Sequence, residues 1–501
     1  MNARFNIVRF AATGLCTNKT FADGTSASFA YTPDGKPLRT TRASGAWTEN
    51  AYDASGRLAS VSTSDGASGY AFSFDPFGRV SAVADPGAPF GQTFSRDSCG
   101  FVTNETWNTR RPSYHSPRTL ERSFDANGRL SSWRFGTSTS PSGAPALSFG
   151  AAVSFGPDGN VSAVVCTNGA GRVLEAEYGY EDGRFASLDI STDSGGAAFD
   201  VERDPHRPQR WTAATVPASR QTMHRTAWTY DALDRPTERT RKMPSETAVS
   251  TNSYAYDARG QVTGVVVPES ESAYSYDSIG NRISSSDAFG LRAYAANAVN
   301  AYVSVSNAAS ASAVEPEWDE DGNLVSFGAA ALGWDARGRL VSVETETPEG
   351  QPLEIYLTYD WRDRLVDKLV RRKTGRFSWE EELHEYVWDD WLLLLERVED
   401  AEGNVTDVEY FWGPDISGTL QAAGVVGGLL AVSANGDFYF PFYDNNGNVL
   451  GYADENGGYA ALYDYDAFGN EIASSGPLAS FFRHRFSTKL LDPDTGLYYY
   501  W

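Results

Sequence analysis

Histidines are the first side chains to consider for acid–base or metal chemistry, and here their spacing supports neither. The chain has five: His115, His206, His224, His384 and His484. A zinc site or a histidine relay needs partners at short fixed spacings such as HxxxH, HExxH or CxxC, and none of these patterns occurs. We therefore expect loop or surface positions for the histidines, with no metal ion and no cofactor.

Paired carboxylates are the next candidates, because glycoside hydrolysis needs two of them facing each other across a sugar. Asp389-Asp390 and Asp319-Glu320-Asp321 are such groups, and Asp321-Gly322-Asn323 also resembles part of a calcium loop. The alternating Asp series and the distal Glu of a calcium loop are missing. Tight turns use the same residue types, so we interpret these segments as turns. A hydrolase would rest on the abundance of carboxylates alone; we predict no enzyme, and no catalytic, cofactor-binding or metal-ligating residue.

The cysteines do not form a reactive or cross-linked set. Cys16, Cys99 and Cys166 are far apart, no CxxC pair exists, and an odd number cannot close into a disulfide framework. Free cysteine usually behaves as a small hydrophobic residue. We predict that all three are buried in this way.

The overall charge limits the choice of partners. The 42 Lys and Arg residues against 65 Asp and Glu give a formal charge of -23, which repels phosphate backbones and anionic lipid surfaces. The most apolar run, 424–432, is far shorter than the roughly 18 to 20 residues of a membrane-spanning helix. Residues 1–18 lack the uninterrupted apolar core of a signal peptide. We predict no nucleic-acid partner and no membrane insertion.

An internal repeat places most of the acidic residues. Tyr52-Asp53-Ala54-Ser55-Gly56-Arg57-Leu58 shows its pattern: an aromatic, Asp, two variable residues, Gly, then Arg, Asn or Gln, and an aliphatic. The first residues of two neighbouring copies, Tyr52 and Phe74, are 22 positions apart. That period suits two short strands and two turns, or one hairpin. Other clear copies begin at Phe124, Tyr256, Tyr276, Trp334, Tyr443 and Tyr465, and looser ones at Tyr31, Phe155, Tyr180, Tyr230, Trp318 and Tyr359.

The motif has a mechanical explanation as a three-residue hairpin loop. Such a loop often combines a type I turn with one left-handed residue, and Gly56 adopts that conformation without strain. Asp53 is placed to accept a hydrogen bond from the N–H two residues later. Tyr52 then faces Leu58 and Asp53 faces Arg57, each cross-strand pair contributing roughly 0.2 to 1 kcal/mol. We predict the aromatic on the inner face and the Asp–Arg pair on the outer face.

These hairpins should join into one sheet, because a single hairpin is only marginally stable and buries little apolar surface. Alternating segments such as 262–267 support strands, and apolar spacing typical of helices is almost absent. We also interpret 379–395 as two strands around a turn, in preference to an amphipathic docking element. The predicted class is all-β, an antiparallel sheet wound into a spiral; the period alone leaves a rod, a barrel and a hollow shell open.

The repeats are similar to those of RHS proteins and the related teneurin YD shells. Segments 294–302, 412–421 and 427–432 resemble blocks that precede the RHS repeat-associated core, and 443–449, 463–469, 485–489 and 494–500 resemble the opening of that core. The resemblance implies a large hollow or open β-shell. It also divides the chain into an N-terminal lead-in (1–30), a repeat array (31–290), later repeats with pre-core blocks (291–430) and a partial core (431–501).

The resemblance further implies a role as a container. Bacterial members enclose a C-terminal toxin and others act at cell surfaces, so we expect a shell segment that encapsulates or displays a polypeptide cargo. No residue here matches the family's self-cleavage segment or its toxin. Two alternatives stay open: an adhesion module that binds carbohydrate or protein through its 13 Trp and 26 Tyr residues, and an incomplete gene product. The latter would self-associate through an open sheet edge. A secreted or cell-surface location is implied only by the family.

Overall fold

The computed structural model of the chain describes residues 6–9, 14–85, 91–107, 117–137, 147–218, 221–242, 249–268, 270–307 and 312–500. In these residues the regular structure is β-strand, apart from one short 3-10 helix. None of their helical structure is long or apolar enough to cross a bilayer. His115 and Trp501 lie outside the described ranges, as does part of the segment 1–18.

The first sheet contains 27 strands in the part of the chain that is described. They are β1 (Asn6–Arg9), β2 (Cys16–Thr20), β3 (Ser26–Tyr31), β4 (Pro37–Thr41), β5 (Trp47–Tyr52), β6 (Leu58–Thr63), β7 (Tyr70–Phe74), β8 (Val80–Ala84), β9 (Gly91–Arg96), β10 (Val102–Trp107), β11 (Arg118–Phe124), β12 (Leu130–Thr137), β13 (Ser148–Phe155), β14 (Val161–Thr167), β15 (Val173–Glu181), β16 (Arg184–Thr192), β17 (Gly196–Arg203), β18 (Trp211–Ala218), β19 (Gln221–Tyr230), β20 (Pro236–Lys242), β21 (Ser250–Tyr256), β22 (Val262–Val267), β23 (Ser270–Tyr276), β24 (Arg282–Asp287), β25 (Gly290–Ala296), β26 (Tyr302–Asn307) and β27 (Ser312–Val314).

The second sheet contains 14 strands, again counted over the described residues. They are β28 (Glu317–Trp318), β29 (Leu324–Phe327), β30 (Ala330–Trp334), β31 (Leu340–Glu346), β32 (Pro352–Tyr359), β33 (Leu365–Lys373), β34 (Trp379–Asp389), β35 (Leu392–Glu399), β36 (Val405–Trp412), β37 (Leu429–Ala434), β38 (Asp437–Tyr443), β39 (Val449–Asp454), β40 (Tyr459–Tyr465) and β41 (Glu471–Ser475). The 3-10 helix Phe486–Thr488 and the short pair β42 (Leu490–Leu491) and β43 (Tyr498–Tyr499) follow.

Within each sheet, every strand pairs antiparallel with the next one along the chain. This is the order that a series of hairpins produces, and it confirms the predicted all-β antiparallel fold. The pairing also confirms that 379–395 forms two strands, β34 and β35. The two sheets are linked by a side-chain hydrogen bond where they meet along the chain, from Trp318 Nε1 to the carbonyl of Tyr302 at 2.8 Å.

The start of the second sheet lies next to the early strands of the first sheet. Loops of the first sheet there meet loops of the second: Ser44 N donates to Asp321 Oδ1 at 3.1 Å, and Ala336 N donates to Asp65 Oδ2 at 2.9 Å. Arg42 also donates to the carbonyl of Arg337. These are contacts between strand ends, so β28–β31 lie beside the early strands as the next turn of a spiral.

Further along the chain, the face of the second sheet packs on the face of the first. The rings of Trp133 and Phe149 lie 6.4 and 6.0 Å from that of Phe411, so strand interiors now face each other. The loop that precedes β15 touches the loop that precedes β38, where Asn168 Nδ2 donates to the Gly436 carbonyl at 3.1 Å. The wall thus changes from one layer to two, and the large apolar cluster lies between them.

The end of the chain forms a third layer over the other face of the second sheet. We call residues 476–500 the strap. Phe482 stacks on Tyr452 with ring centroids 3.8 Å apart, and Tyr499 OH donates to the Asp363 carbonyl at 3.0 Å. The strap therefore runs back across the sheet, from β39 to the start of β33. The four predicted domains remain a prediction.

The prediction for the cysteines was correct only in part. Cys166 is buried between the layers, Cys16 is half-buried, and Cys99 is exposed; all three are free thiols. Cys99 precedes Gly100 in the hairpin loop between β9 and β10, where a side chain points to solvent. The prediction was wrong for Cys99 because the repeat places that residue on a turn.

Candidate functional site

The clear copies of the repeat close their hairpins with the predicted turn chemistry. In the first clear copy, Tyr52 pairs with Leu58, and Gly56 has a φ of 76°. Asp53 Oδ1 accepts hydrogen bonds from the N–H groups of Ser55 and Arg57, both at 2.9 Å, while Arg57 Nε donates to Asp53 Oδ2 at 2.7 Å. These bonds lower the pKa of Asp53. The turn prediction is confirmed.

Some degenerate copies keep the same geometry with another residue in place of glycine. Asp234, Asn300 and Asp363 occupy the left-handed position with φ of 66° to 67°. Asp and Asn accept this conformation more readily than other residues with a side chain. The looser copies at Tyr230 and Tyr359 are therefore true repeats.

The sequence did not reveal what the repeated aromatic does. Its polar atom donates to the backbone carbonyl at the aliphatic position of the preceding repeat. Tyr256 OH donates to Pro236 O at 2.7 Å, and Trp334 Nε1 to Leu324 O at 2.8 Å. The same bond recurs from Tyr31, Tyr52, Tyr180, Tyr230, Tyr276, Tyr359, Tyr443, Tyr465, Trp318, Trp388 and Trp412. The signal that could have revealed it was the choice of Tyr or Trp, which carry a donor, over Phe at most copies.

The arginine of the motif also reaches the next repeat. Arg57 Cζ lies 4.2 Å from the ring centre of Phe74, and Arg129 Cζ lies 4.0 Å from that of Phe155. The predicted pairs are both present, since Tyr52 faces Leu58 and Arg57 binds Asp53, but the predicted separation of their faces is incomplete because the guanidinium of Arg57 also folds over the ring of Phe74. Repeat aromatics used in this way have a covered ring face, which leaves less surface for stacking on sugars.

Ion pairs hold the two layers together where they overlap. Arg122 bridges Glu105 and Asp389 at 3.0 and 2.6 Å, and Arg172 Nη2 lies 2.6 Å from Glu455 Oε1. Glu409 accepts two bonds from Gly169 N, at 2.9 and 3.0 Å. Burial nevertheless raises the pKa of Glu409 to about 7. The ion pairs and the Glu409 hydrogen bonds have little contact with solvent, so they fix the register of one layer on the other.

A second set of buried charges holds the strap. Lys368, with only 1% of its surface exposed, contacts Asp492 and lies 2.6 Å from Asp494 Oδ2. Arg372 Nη2 donates to Asp494 Oδ1 at 2.7 Å. Beside them, His384 Nδ1 is 2.9 Å from Glu396 Oε1 and its Nε2 is 2.7 Å from Glu382 Oε1. Burial lowers the pKa of His384, but the two carboxylates outweigh it and the net shift is upward.

The prediction that the histidines lie in loops or on the surface was wrong for His224, His384 and His484. They are 3%, 1% and 3% exposed. All three lie between layers, which the sequence did not show because the layers come from distant parts of the chain. His206 is exposed in the loop before β18, as predicted.

The paired carboxylates do not face each other across a cleft. Asp389 pairs with Arg122, whereas Asp390, in the left-handed region at φ 51°, pairs with Arg362 at 3.0 Å. Asp319 closes the turn before β29, so the turn interpretation of that segment is confirmed. Among the described residues, no group of three or more His, Cys, Asp and Glu side chains is arranged to hold a metal ion.

Two family models match the chain. The teneurin YD-shell model matches residues 184–378, and the RHS repeat model matches residues 52–89. Among curated proteins, the chain is similar to the tRNA3(Ser)-specific nuclease WapA of Bacillus spizizenii, with 29% identity over 228 residues. It is also similar to the tRNA nuclease WapA of Bacillus subtilis, with 28% identity. Each match covers 45% of this chain and 9% of the relative's length.

Solved structures share the fold over nearly the whole chain. The crystal structure of TcdB2-TccC3-Cdc42 superposes with a TM-score of 0.70 at 14% identity, covering 97% of this chain and 26% of that one. The Tc holotoxin pore of Photorhabdus luminescens gives 0.62 at 16% identity, with the same coverage. The teneurin YD-shell match over residues 184–378, the RHS repeat match over residues 52–89 and the repeated Tyr-Asp hairpins, in an open β-shell fold, show that the chain carries RHS/YD repeats.

Proposed function

We propose that this chain is a wall segment of a shell that encloses or displays a polypeptide cargo, and that it has no catalytic centre of its own. One observation carries the proposal: the chain of hairpins winds back so that the second sheet first lies beside the early strands of the first sheet and then packs over its later strands. A sheet wound in this way has hydrogen-bonded strands along its length and side-chain contacts between successive turns. That arrangement suits a wall.

The similar proteins support the same role. WapA carries the name of a nuclease, yet this chain matches only 9% of its length, and the described part of this chain consists of hairpins. The candidate carboxylates of this chain are engaged in turns and in contacts between layers. In this proposal, any toxic activity belongs to another part of a longer polypeptide, and the repeats act as its container.

The test is protection of a cargo from protease. An unstructured reporter with protease sites is joined to the C-terminal side of the chain, and its cleavage is timed. We expect cleavage at least about tenfold slower than that of the free reporter, because cleavage then requires opening of the wall. The matched control carries Phe411→Ala, which loosens the two layers. Equal cleavage rates for the fused and the free reporter would contradict the proposal.

A further inference from the structure

The strap carries a buried histidine onto the face of the second sheet. His484 is 3% exposed, and its ring packs against two aromatic rings of β36. The ring centre of Tyr410 lies 4.8 Å from that of His484, and the ring centre of Trp412 lies 5.3 Å away, both edge to face. Tyr452 OH of β39 donates to the His484 carbonyl at 2.8 Å. The imidazole is therefore enclosed as long as the strap is docked.

This enclosure favours a neutral imidazole. The Nδ1 atom of His484 is buried and has no hydrogen-bond partner among the residues that the structure describes. A positive charge on the ring would form in an apolar site with no acceptor at this atom, which costs free energy. Burial accordingly lowers the pKa of His484 to about 3; the charge of Glu396 opposes this shift, and that of Lys489 adds to it.

The carboxylate that acts on His484 belongs to Glu396 of β35, and its oxygens are already engaged. Oε1 lies 2.9 Å from His384 Nδ1 and 3.8 Å from Arg483 Nε, while Oε2 accepts a bond from Tyr410 OH at 3.1 Å. Burial raises the pKa of Glu396, but the bond to His384 and the charge of Arg483 outweigh it, and the pKa is lowered to about 2. Glu396 thus stays ionised and bound to its own partners wherever a histidine titrates. The titratable and charged groups that meet His484 are Glu396, Tyr410 and Tyr452 on the sheet and Arg483 and Lys489 on the strap.

We propose that the strap is an acid-sensitive latch: protonation of His484 releases residues 476–500 from the second sheet and uncovers the aromatic face around Tyr410, Trp412 and Tyr452. In the released strap the ring is in water and takes up a proton at its ordinary pKa of 6.5, whereas the docked strap holds it neutral. Docking is therefore fully stabilised above pH 6.5 and loses stability as the pH falls below 6.5. Each pH unit below that value weakens docking about tenfold.

The other ionisable groups respond in a different range or with the opposite sign. Burial raises the pKa of Asp494, but Lys368 lowers it further, so the contribution of Asp494 is lost only below its ordinary value of 3.8. Burial lowers the pKa of His384, but its two carboxylates raise it above 6.5, so His384 stays charged as acid is added. Burial raises the pKa of Glu409 to about 7, yet Glu409 contacts the first sheet, and acid stabilises that contact. A loss of docking in mild acid therefore reports His484.

The experiment measures amide hydrogen exchange of the full chain at pH 7 and at about pH 5.5, corrected for the intrinsic effect of pH on exchange. We expect the strap to lose about tenfold in protection between the two conditions. Strands β13 and β14, which lie between the two sheets, should keep their protection. Equal loss in both regions would show unfolding of the whole chain and would overturn the latch. The measurement involves no cargo, so its outcome is independent of the container function.

Substitution of His484 tests the ring directly. His484→Phe keeps an aromatic side chain in the site but cannot take up a proton, so protection of the strap should be the same at both pH values. His484→Leu is a second variant that serves if the phenylalanine prevents docking. His206→Phe is the matched control, because His206 is exposed in the loop before β18 and its loss should leave the acid response unchanged. The proposal is overturned if the strap of the unmodified chain is equally protected at both pH values, or if both His484 variants still lose protection in acid.

Discussion

The same hairpin motif occurs in two regions of this protein with different consequences. In β5, Tyr52 is half-buried and its hairpin is part of the early wall. In β38, Tyr443 is 8% exposed, with the first sheet on one side and the strap on the other side of its sheet. Both donate to the carbonyl of the preceding repeat. The motif thus forms the same hairpin in both regions, while the burial of its aromatic residue depends on how many layers cover that hairpin.

The largest expected effect comes from removing an aromatic side chain between the layers. Phe411→Ala should lower the free energy of unfolding by about 3–5 kcal/mol, because Phe411 is 0% exposed and its loss leaves a cavity. Phe74→Ala in the early wall should cost less, since Phe74 is only half-buried. Thermal unfolding of both variants checks this; equal losses would show that layering contributes no extra stability.

The next effect concerns the strap. Lys368→Ala removes the buried partner of Asp492 and one of the two partners of Asp494, which keeps its bond from Arg372. Breaking a fully buried ion pair costs about 3–5 kcal/mol, which sets the upper bound here. We expect the lost stability to appear as local opening of the strap, which is measured as faster amide hydrogen exchange in residues 490–499. Arg39→Ala is the comparison, because its pair with Glu49 at 3.3 Å is exposed and such pairs contribute about 0–1 kcal/mol. Unchanged exchange in the strap would argue against its retention by Lys368.

A smaller difference should separate two copies of the tyrosine bond. Tyr465→Phe should cost about 1–3 kcal/mol, because the carbonyl of Val449 is left in a buried place without its donor. Tyr256→Phe should cost about 0.5–1.5 kcal/mol, because water can reach the Pro236 carbonyl. Urea unfolding of both variants measures the difference. Equal losses would mean that the tyrosine hydrogen bond contributes the same stability in both regions.

The last prediction is a pH dependence of opposite sign in the two regions. Glu409 has a folded pKa raised to about 7 from 4.5, so its contribution is full below pH 4.5 and is lost as the pH rises through 7. The turn carboxylate Asp53 has a lowered pKa and contributes above its ordinary range, so that contribution is lost in acid. Glu409→Gln should remove part of the loss between pH 5 and pH 8 in melting experiments. A variant with an unchanged pH profile would contradict the assignment.

Much of the local structure was predictable from the sequence. The positions of Asp53, Gly56 and Arg57 determined the turn, its bulge and the pairing of Tyr52 with Leu58. Such features depend on residues only a few positions apart, so the pattern contains them. The candidate site was less predictable: Arg57 over Phe74 requires the next repeat, and the burial of His384 requires the strap.

By itself, the sequence determined the hairpins, their order and their assembly into antiparallel sheets, because turn geometry and alternation are local. Only the tertiary structure decided where the ribbon overlaps itself and which repeats become core. The overlap depends on the curvature summed over many strands, and it brings together residues such as Arg122 and Asp389 that are 267 positions apart. No local pattern specifies that distance, so the burial of the later repeats and the position of the strap became visible only in the folded chain.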